Sequence, residues 1–211
     1  RGVVASCSYA ARKFGIHSAM PMATGVRLCP GLMIVSRRQD AYKSASEQVM
    51  ERLVALTSLV EKVSIDEAFL DVTDRPKSGE ALARLLQATV REDLGLPCSL
   101  GVATNKMVAK IANDAGKAAA LTDGPPNGIT VVPPGQESAF LAHLAVKTLW
   151  GVGPKTAASL EKLGIHTIGD LARWPEEDLA RQFGQHGRNL ALYAQGIDNS
   201  PLETTREAKS I

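Results

Sequence analysis

Two adjacent carboxylates, Asp66 and Glu67, stand in the middle of an otherwise apolar stretch, KVSIDEAFLDV, at residues 62–72. Burying two neighbouring negative charges without partners is costly, and one carboxyl would normally take up a proton. A turn that exposes both groups to water, a basic partner or a metal ion would relieve this cost. Mg²⁺ prefers oxygen ligands, and two metal ions about 3.5–4 Å apart can activate a hydroxyl nucleophile and stabilise a leaving phosphate oxygen. From the pair alone, a solvated surface turn is the preferred interpretation.

Basic side chains with helical spacing occur in two other segments. Tyr9 and Arg12 are three residues apart, so they would share one face of a helix next to Lys13. There Arg12 could bind a phosphate through two hydrogen bonds, and the Tyr9 hydroxyl could donate another. Lys106 and Lys110 are four residues apart and would share a face of a second helix. For the first group an exposed basic turn is a common alternative, and for the two lysines alone a solvated stripe is the preferred interpretation.

The segment LWGVGPKTAASLEKLGI, residues 149–165, predicts a phosphate-binding turn. Gly151, Val152 and Gly153 form a tight turn, and Pro154 suits the first position of the following helix. Backbone N–H groups at such a helix N-terminus suit a phosphate, glycine lets a nucleic-acid backbone approach, and Lys155 adds a charge. A plain glycine-capped turn is the alternative, but the proline, the lysine and the small-residue helix favour the helix-hairpin-helix motif of DNA-binding proteins. The implied contacts are independent of base sequence.

Composition narrows the class of protein without naming a function. Of the 211 residues, 45% are hydrophobic and 22% are charged, which is typical of soluble globular proteins. The net charge of +2 is too small to indicate nucleic-acid binding by itself. Three widely spaced cysteines and no CxxC pair argue against a disulfide framework or a zinc site and fit a reducing cytosol. We expect no membrane span and no signal peptide, and the absence of an initiator methionine suggests a piece of a longer protein.

The elements that must position these residues follow from hydrophobic periodicity and turn signals. Strands are predicted at residues 32–35, 60–65, 68–73, 98–104 and 128–132. Helices are predicted at residues 8–14, 40–59, 78–95 and 105–116, and a mobile loop at 117–127. Asp40 and Asn105 are predicted N-caps, and Gly15, Gly95 and Gly116 are predicted helix ends. After residue 135 only short helices and glycine turns are expected, so a domain boundary is placed near 135–139.

The two carboxylates need a specific backbone arrangement. Along one straight strand Asp66 and Glu67 would point to opposite faces, whereas a hairpin or bulge between the two strand-like runs could bring both to one rim. The order of elements predicts an α+β fold, in which a mixed sheet is backed by helices.

Four motifs in this order resemble the Y-family translesion DNA polymerases, most closely the polymerase IV and kappa branch. They are CSYAARKFGIHSAMPM, SIDEAFLDVT, SLGVATNKMVAKIANDAGK and GVGPKTAASLEKLGI, and together they cover nearly the whole chain. The resemblance implies a right-hand architecture. Its parts are fingers at residues 1–37, a mixed-sheet palm at 38–139, an all-helical helix-hairpin-helix thumb at 140–203, and the start of a linker to a little-finger domain at 204–211.

The resemblance also implies roles for individual residues. Asp66 corresponds to a metal-ligating palm aspartate and Glu67 to the acidic residue beside the primer 3′-hydroxyl, with two Mg²⁺ ions in the complete site. The implied nucleotide-binding residues are Tyr9, Arg12, Lys110, Ala5 and Ala19. The two alanines would lie over the nascent base pair, where small side chains leave room for damaged templates. The implied DNA-binding residues are Gly151, Val152, Gly153 and Lys155.

The implied activity is template-directed, low-fidelity DNA synthesis, in which the primer 3′-oxygen attacks the α-phosphate of a deoxynucleoside triphosphate and pyrophosphate leaves. The implied partners are primer-template DNA, the nucleotide and a sliding clamp bound through a further C-terminal region. A monomer in the bacterial cytoplasm, associated with the nucleoid and not with a membrane, is expected. An N-terminal palm strand with another metal-binding aspartate and a C-terminal little finger lie outside the 211 residues, so we expect these residues alone not to extend a primer.

Two other functions stay open at this point. A helix-hairpin-helix DNA glycosylase would use Lys155 and Asp170, although the segment LEKLGIHTIGDLARW does not resemble the one that carries the glycosylase aspartate. A non-catalytic DNA-binding module would leave Asp66 and Glu67 as a mere turn. Mg²⁺-dependent nucleotide binding separates the polymerase from both alternatives, because only the polymerase needs metal and nucleotide to meet at Asp66.

Overall fold

A computed structural model describes residues 2–119 and 126–204 of the chain. Along these residues the elements are α1 (Tyr9–Arg12), α2 (Met22–Leu28), α3 (Gln39–Leu56), β1 (Val60–Lys62), β2 (Ala68–Leu70), α4 (Gly79–Leu94), β3 (Leu100–Val102), α5 (Lys106–Ala119), β4 (Ile129–Val131), α6 (Glu137–Ala142), a 3₁₀ turn (Val146–Thr148), α7 (Pro154–Lys162), α8 (Ile168–Ala172), α9 (Glu176–Phe183) and α10 (Gln185–Ala194). The predicted α+β class is confirmed. None of the described helices combines the length and hydrophobicity that a membrane-spanning segment requires.

The described strands form two separate two-stranded sheets. β1 and β2 are an antiparallel hairpin in which Val60 lies opposite Leu70. β3 and β4 are parallel, with Leu100 opposite Ile129, and α5 connects them. Of the hairpin and the bulge that were considered between the two strand-like runs around the carboxylates, the hairpin is the one present.

Helix α4 shows how local sequence signals fix an element of this fold. The Ser78 hydroxyl accepts a hydrogen bond from the Ala81 backbone N–H at 3.2 Å and so caps the first turn. Leu82, Leu86 and Val90 recur at helical spacing and are buried. Gly95 ends the helix at φ +65°, a left-handed conformation that favours glycine. The predicted helix at 78–95 is thus confirmed with its closing glycine.

Apolar burial is divided among three clusters. The largest fills the C-terminal helical region, where Leu160, Leu171 and Leu190 are fully buried, and continues into Met107 of α5 and Val132 after β4. The second lies between α1 and α2, and the third between α3, α4 and the hairpin. Because the largest cluster contains residues on both sides of 135–139, the domain boundary placed there stays a prediction.

One predicted helix end, Gly116, and one predicted N-cap, Asp40, are corrected by the structure. Gly116 does not end α5, which continues to Ala119. A side chain at Gly116 would collide with the Thr130 hydroxyl, so the glycine serves the close approach of α5 to β4 and not helix termination. Asp40 is not the N-cap of α3, because Arg38 occupies that position and Asp40 lies in the first turn. There its charge still favours the positive end of the helix dipole.

The strand predicted at residues 32–35 is wrong. The segment belongs to none of the described strands, and Met33 and Val35 are 87% and 84% exposed. An apolar run becomes a strand only where a neighbouring strand satisfies its backbone groups, and none of the described strands lies beside it. Of the predicted loop at 117–127, residues 120–125 lie outside the described residues, as do residues 205–211 of the predicted linker.

Candidate active site

The hairpin turn between β1 and β2 carries the two carboxylates. The backbone N–H groups of Val63 and Ser64 both donate to the Glu67 carbonyl, at 3.0 and 3.1 Å, and close the turn. The Ser64 hydroxyl donates to Asp66 Oδ1 at 2.7 Å and orients that carboxylate. Asp66 is exposed and Glu67 is half-buried, and both line one cleft. The turn therefore presents both groups to the same space, which a straight strand could not do.

Lys110 of α5 is the basic partner of Glu67. Its Nζ lies 2.6 Å from Glu67 Oε1 and 3.4 Å from Asp114 Oδ1. Partial burial lowers the pKa of Lys110, but its hydrogen bond to Glu67 and the charge of Asp114 outweigh it, so the net pKa is raised. Lys110 is thus held charged at the rim of the cleft, in a position to meet an anionic ligand.

Lys106, one turn earlier on the same helix face, has a different role. Its Nζ lies 2.7 Å from Glu61 Oε2, and both side chains are largely buried. The ammonium also lies 5.8 Å from the centroid of the Phe69 ring, and Glu61 Oε2 accepts the Glu203 backbone N–H at 3.0 Å. Lys106 therefore braces α5 against the hairpin, whereas Lys110 reaches the carboxylate pair.

Tyr9 and Arg12 lie together on α1, as their spacing predicted. The Ser8 hydroxyl caps this short helix by accepting the Ala11 N–H. Arg12 Cζ lies 5.5 Å from the centroid of the Tyr9 ring, a cation–π arrangement. Tyr9 lines the cleft, while Arg12 is exposed beside it and is not among its lining residues.

The cleft has a volume of about 930 Å³ and brings together four of the predicted site residues, Tyr9, Asp66, Glu67 and Lys110. Ala5 and Ala19 are exposed in the N-terminal region and do not line it. Ala19 has φ +66°, an uncommon left-handed conformation for alanine. Its N–H donates to the Val4 carbonyl at 2.9 Å, so Ala19 is tied to the strand-like segment that leads to Ala5.

The predicted phosphate-binding turn has the expected geometry. Gly151 has φ +87°, Gly153 is the N-cap of α7 and Pro154 is its first residue. Val152 is buried in the helical core, whereas Lys155 is exposed at the start of α7. The four predicted DNA-binding residues thus form one continuous turn and helix start, with only the Val152 side chain turned inwards.

Asp170, the aspartate of the glycosylase alternative, is engaged in helix capping. Its Oδ2 accepts the backbone N–H groups of Thr167 at 2.8 Å and His166 at 3.1 Å, and Oδ1 accepts from Arg173. These contacts, first among them those with Thr167, lower the pKa of the Asp170 carboxyl. A carboxylate held in this way stabilises α8 and is poorly suited to activating a nucleophile.

Comparison with known proteins decides the family. Residues 1–114 match the impB/mucB/samB family, and residues 134–165 match the IMS family HHH motif. The chain belongs to the impB/mucB/samB family. Its helix-hairpin-helix assignment and its resemblance to Y-family polymerases are thereby confirmed.

Individual relatives of this family member are polymerases. The chain is 46% identical over 214 residues to a protein named DNA polymerase IV from Ralstonia nicotianae, and 42% identical to one from Listeria monocytogenes serotype 4b. Each match covers 100% of this chain and 58% of the relative, so the chain spans less than two thirds of their length.

Solved structures of the family share the fold. DinB from Sulfolobus solfataricus superimposes with a TM-score of 0.84 at 31% identity, covering 96% of this chain and 59% of the other. An insertion ternary complex of Dbh DNA polymerase gives a TM-score of 0.84 at 31% identity, with 96% and 58% coverage. The predicted right-hand polymerase fold is therefore confirmed.

The family implies a divalent metal, and the donor chemistry of the cleft fits one in part. Asp66 and Glu67 offer the hard oxygen ligands that Mg²⁺ prefers. Within residues 2–119 and 126–204, however, no group of three or more histidine, cysteine, aspartate or glutamate side chains is placed to hold a metal ion. The two carboxylates alone therefore do not complete a metal site.

Several contacts at this site could not be predicted from the sequence of this chain. The Phe69 and Trp150 rings lie with their centroids 6.2 Å apart. They join the hairpin to the glycine turn at residues 151–153, which we call the thumb turn. Asn105 was predicted only as a helix cap, which it is, but its amide also donates to the Gly196 carbonyl. Their partners lie far away in sequence, and no local pattern indicates such pairs.

Proposed function

We propose that this chain carries the catalytic centre of a translesion DNA polymerase. The observation that supports this most strongly is the meeting of Tyr9, Asp66, Glu67 and Lys110 in one cleft, although they come from three distant segments. An acidic pair next to a phenol and an ammonium group suits a metal-bound triphosphate better than any neutral ligand.

Each side chain has a definite task in the proposed reaction. Asp66 and Glu67 hold the metal, and Glu67 lies where the primer 3′-hydroxyl is activated. Lys110 and Tyr9 donate to phosphate oxygens from inside the cleft, and Arg12 does so from its edge. A bound divalent ion supplies activation of the hydroxyl and stabilises the charge on leaving pyrophosphate. We propose Mg²⁺, with two ions in the complete site.

The shape of the cleft supports a further strand in the intact enzyme. The cleft is lined by residues of β2 and β3 but by none of β1 or β4, so it lies between the two sheets. The facing edges of β2 and β3 lack a partner strand among the described residues, and apolar side chains such as Leu82, Leu86 and Leu100 line the slot. We propose that a strand from outside the 211 residues pairs there and brings the additional metal-binding aspartate.

The thumb turn is proposed to bind the duplex. Gly151, Val152 and Gly153 would offer backbone N–H groups, and Lys155 a charge, to a DNA phosphate. Ala5 and Ala19 are proposed to lie over the nascent base pair.

The finer assignments are part of the same proposal. The fingers are assigned to residues 1–37, the palm to 38–139 and the thumb to 140–203. Residues 204–211 are assigned to the start of the linker to a little finger. The intact enzyme is proposed to act as a monomer in the bacterial cytoplasm near the nucleoid, recruited by a sliding clamp through a region beyond this chain.

Asp66→Ala in the intact enzyme tests the proposal. Because it removes a metal ligand, primer extension with Mg²⁺ is expected to fall at least about 100-fold, while DNA affinity by fluorescence anisotropy changes less than about twofold. Asp93→Ala removes an aspartate that contacts Arg52 outside the cleft and serves as the matched control. Extension by Asp66→Ala at the control rate would refute the metal assignment.

Nucleotide binding separates the polymerase from its alternatives. Isothermal titration of a deoxynucleoside triphosphate into the intact enzyme is expected to give heat with Mg²⁺, and much less with EDTA or with Asp66→Ala. A glycosylase or a non-catalytic module needs neither metal nor nucleotide, so equal heats in all three titrations would favour those functions.

A further inference from the structure

Both ends of the helical thumb meet the chain at one point, the turn that leads into α5. We call this set of contacts the thumb anchor. It consists of Thr104, Asn105 and Met107 at the start of α5 and of Glu137, Gly196 and Asp198 at the two ends of the helical region from α6 to α10. This region adds α6 to the proposed thumb at 140–203, and it is here called the thumb.

The start of the thumb is held by Thr104. Thr104 lies between the end of β3 and the start of α5, and its hydroxyl donates to Glu137 Oε1 at 2.5 Å. This hydrogen bond is the main reason that the pKa of the Glu137 carboxyl is lowered, so the acceptor is ionised at neutral pH. Hydrogen bonds to a charged acceptor are stronger than neutral ones, so this contact holds the start of α6 firmly against the turn before α5.

The end of the thumb is held by two more hydrogen bonds. The Asn105 amide donates to the Gly196 carbonyl at 2.8 Å, and the Met107 backbone N–H donates to Asp198 Oδ2 at 3.3 Å. The Asp198 charge therefore lies at the N-terminus of α5, where the helix dipole favours it. Its other oxygen accepts from the Ser200 N–H and hydroxyl, at 3.0 and 2.7 Å, which fixes the carboxylate in place.

The two ends of the thumb also touch each other. Gly196 is buried at φ +80°, and a Cβ there would lie 2.5 Å from Glu137 Cβ and 3.2 Å from the Ser138 nitrogen. Only glycine permits this approach, which places the start and the end of the thumb side by side on the anchor.

Helix α5 links the anchor to the active site. Its 14 residues carry Lys110, which meets Glu67, and Lys106, which contacts Glu61 and Phe69. Phe69 in turn meets Trp150, the residue before the thumb turn. The thumb is therefore fixed to the same helix that presents Lys110, once through the anchor and once through the Phe69–Trp150 contact.

We propose that Asp198 is a positioning residue, which sets the thumb turn at a fixed place relative to the nucleotide site. This inference rests on the proposed polymerase function. Duplex held by the thumb and nucleotide held beside Lys110 must meet with the primer 3′-oxygen in line with the α-phosphate. A small displacement of either lowers the rate, because reaction requires the reacting atoms to be aligned within about 3–3.5 Å. Asp198 lies at the edge of the same cleft and acts on this alignment through its hydrogen bond to the N-terminus of α5.

The test compares Asp198→Ala with Asp170→Ala in the intact enzyme. Both aspartates accept backbone N–H groups at helix N-termini, but Asp170 caps α8 within the thumb and does not contact the palm. Asp198→Asn keeps one acceptor oxygen and serves as the conservative variant. The measurements are steady-state primer extension, DNA affinity by anisotropy and the thermal midpoint.

We expect Asp198→Ala to lower kcat at least about tenfold, with DNA affinity within about twofold, because misalignment slows the reaction more than it weakens binding. Asp170→Ala should lower the thermal midpoint about as much as Asp198→Ala does, but it should keep the wild-type kcat. Asp198→Asn should recover part of the kcat that Asp198→Ala loses. Equal kcat losses in Asp198→Ala and Asp170→Ala, or unchanged kcat in Asp198→Ala, would overturn the inference. An inactive wild-type enzyme would instead count against the proposed function.

A second measurement does not depend on activity. The 211 residues contain two tryptophans, so Trp174→Phe, with phenylalanine replacing any tryptophan elsewhere in the intact enzyme, leaves Trp150 as the single emitter. Trp150 is 46% exposed beside Phe69, and its release by a loosened anchor should raise acrylamide quenching by up to about twofold. We expect this rise when Asp198→Ala is added and not when Asp170→Ala is added. Identical quenching in the two variants would refute the anchor even if the enzyme were inactive.

Discussion

Gly101, in the middle of β3, controls how closely α5 approaches the sheet. A methyl group at this position would lie 2.8 Å from the Asn113 backbone nitrogen and closer still to the Ala109 carbonyl oxygen, whereas ordinary contact begins near 3.4 Å. Both obstacles are backbone atoms, so no side-chain rotation relieves the clash. In Gly101→Ala the helix must therefore retreat from β3 by more than about half an ångström.

The energetic cost follows from this overpacking. Inserting one methyl group into a tightly packed site costs about 1–3 kcal/mol, and backbone obstacles place this case near the upper end. For a chain of this size each kcal/mol lowers the thermal midpoint by about 2–4 °C, so we expect a fall of about 5–10 °C. The retreat also stretches the 2.6 Å contact between Lys110 and Glu67. We expect the nucleotide KM to rise about tenfold as Lys110 is displaced.

The assay is thermal unfolding followed by circular dichroism at 222 nm, with nucleotide kinetics on the intact enzyme. Gly128→Ala is the matched control, because a Cβ at Gly128, two residues before Thr130 of β4, meets nothing within 4 Å. Its midpoint should stay within about 1–2 °C of wild type, or rise slightly through loss of chain entropy in the unfolded state. If Gly101→Ala has the same thermal midpoint as this control, β3 and α5 do not approach each other as closely as described.

Two further predictions concern the thumb. Lys155→Ala should weaken DNA binding equally for different base sequences and reduce the slope of log affinity against log salt by about one, measured by anisotropy; an unchanged slope would remove Lys155 from the phosphate contacts. Because hydrogen bonds from Thr167 and His166 lower the folded-state pKa of Asp170 below the unfolded value of about 3.9, its stabilisation is full above that value and disappears as the pH falls through the folded-state pKa. The midpoint difference between wild type and Asp170→Asn should therefore be constant from pH 7 to about pH 5 and shrink below about pH 4; a pH-independent difference would contradict this account.

The sequence predicts elements whose causes are local. The Ser78 cap, the buried leucines of α4 and Gly95 lie within one turn of the features that they determine, so the helix could be placed closely. The hairpin around Asp66 and Glu67 could be predicted because two strand-like runs flank charges that need a bend. Gly116 was misassigned because the sequence alone does not distinguish a glycine required for close packing on β4 from a glycine that ends a helix.

The arrangement of the site could be predicted only in part. Lys106 and Lys110 share a helix face, and their spacing alone does not tell which of them contacts Glu67, because that depends on how α5 lies across the hairpin. Only the family resemblance singled out Lys110. Asn105 and Gly196 are 91 positions apart, so their contact follows from tertiary packing and not from a local pattern. The resemblance to Y-family polymerases supplied the residue types of the site, and the structure supplied their partners.

The uneven distribution of buried apolar side chains gives the molecule regions of very different rigidity. Among the described residues, the segment around α1 and α2 depends on four buried side chains, Val4, Ala11, Ile16 and Met20, whereas the C-terminal helices share their interior with α5 and with Val132 after β4. The wall of the cleft that carries Tyr9 can therefore loosen locally while the scaffold beneath Lys110 stays folded. In the proposed polymerase, such a wall would let the site adjust its fit to a distorted template base at little energetic cost to duplex binding.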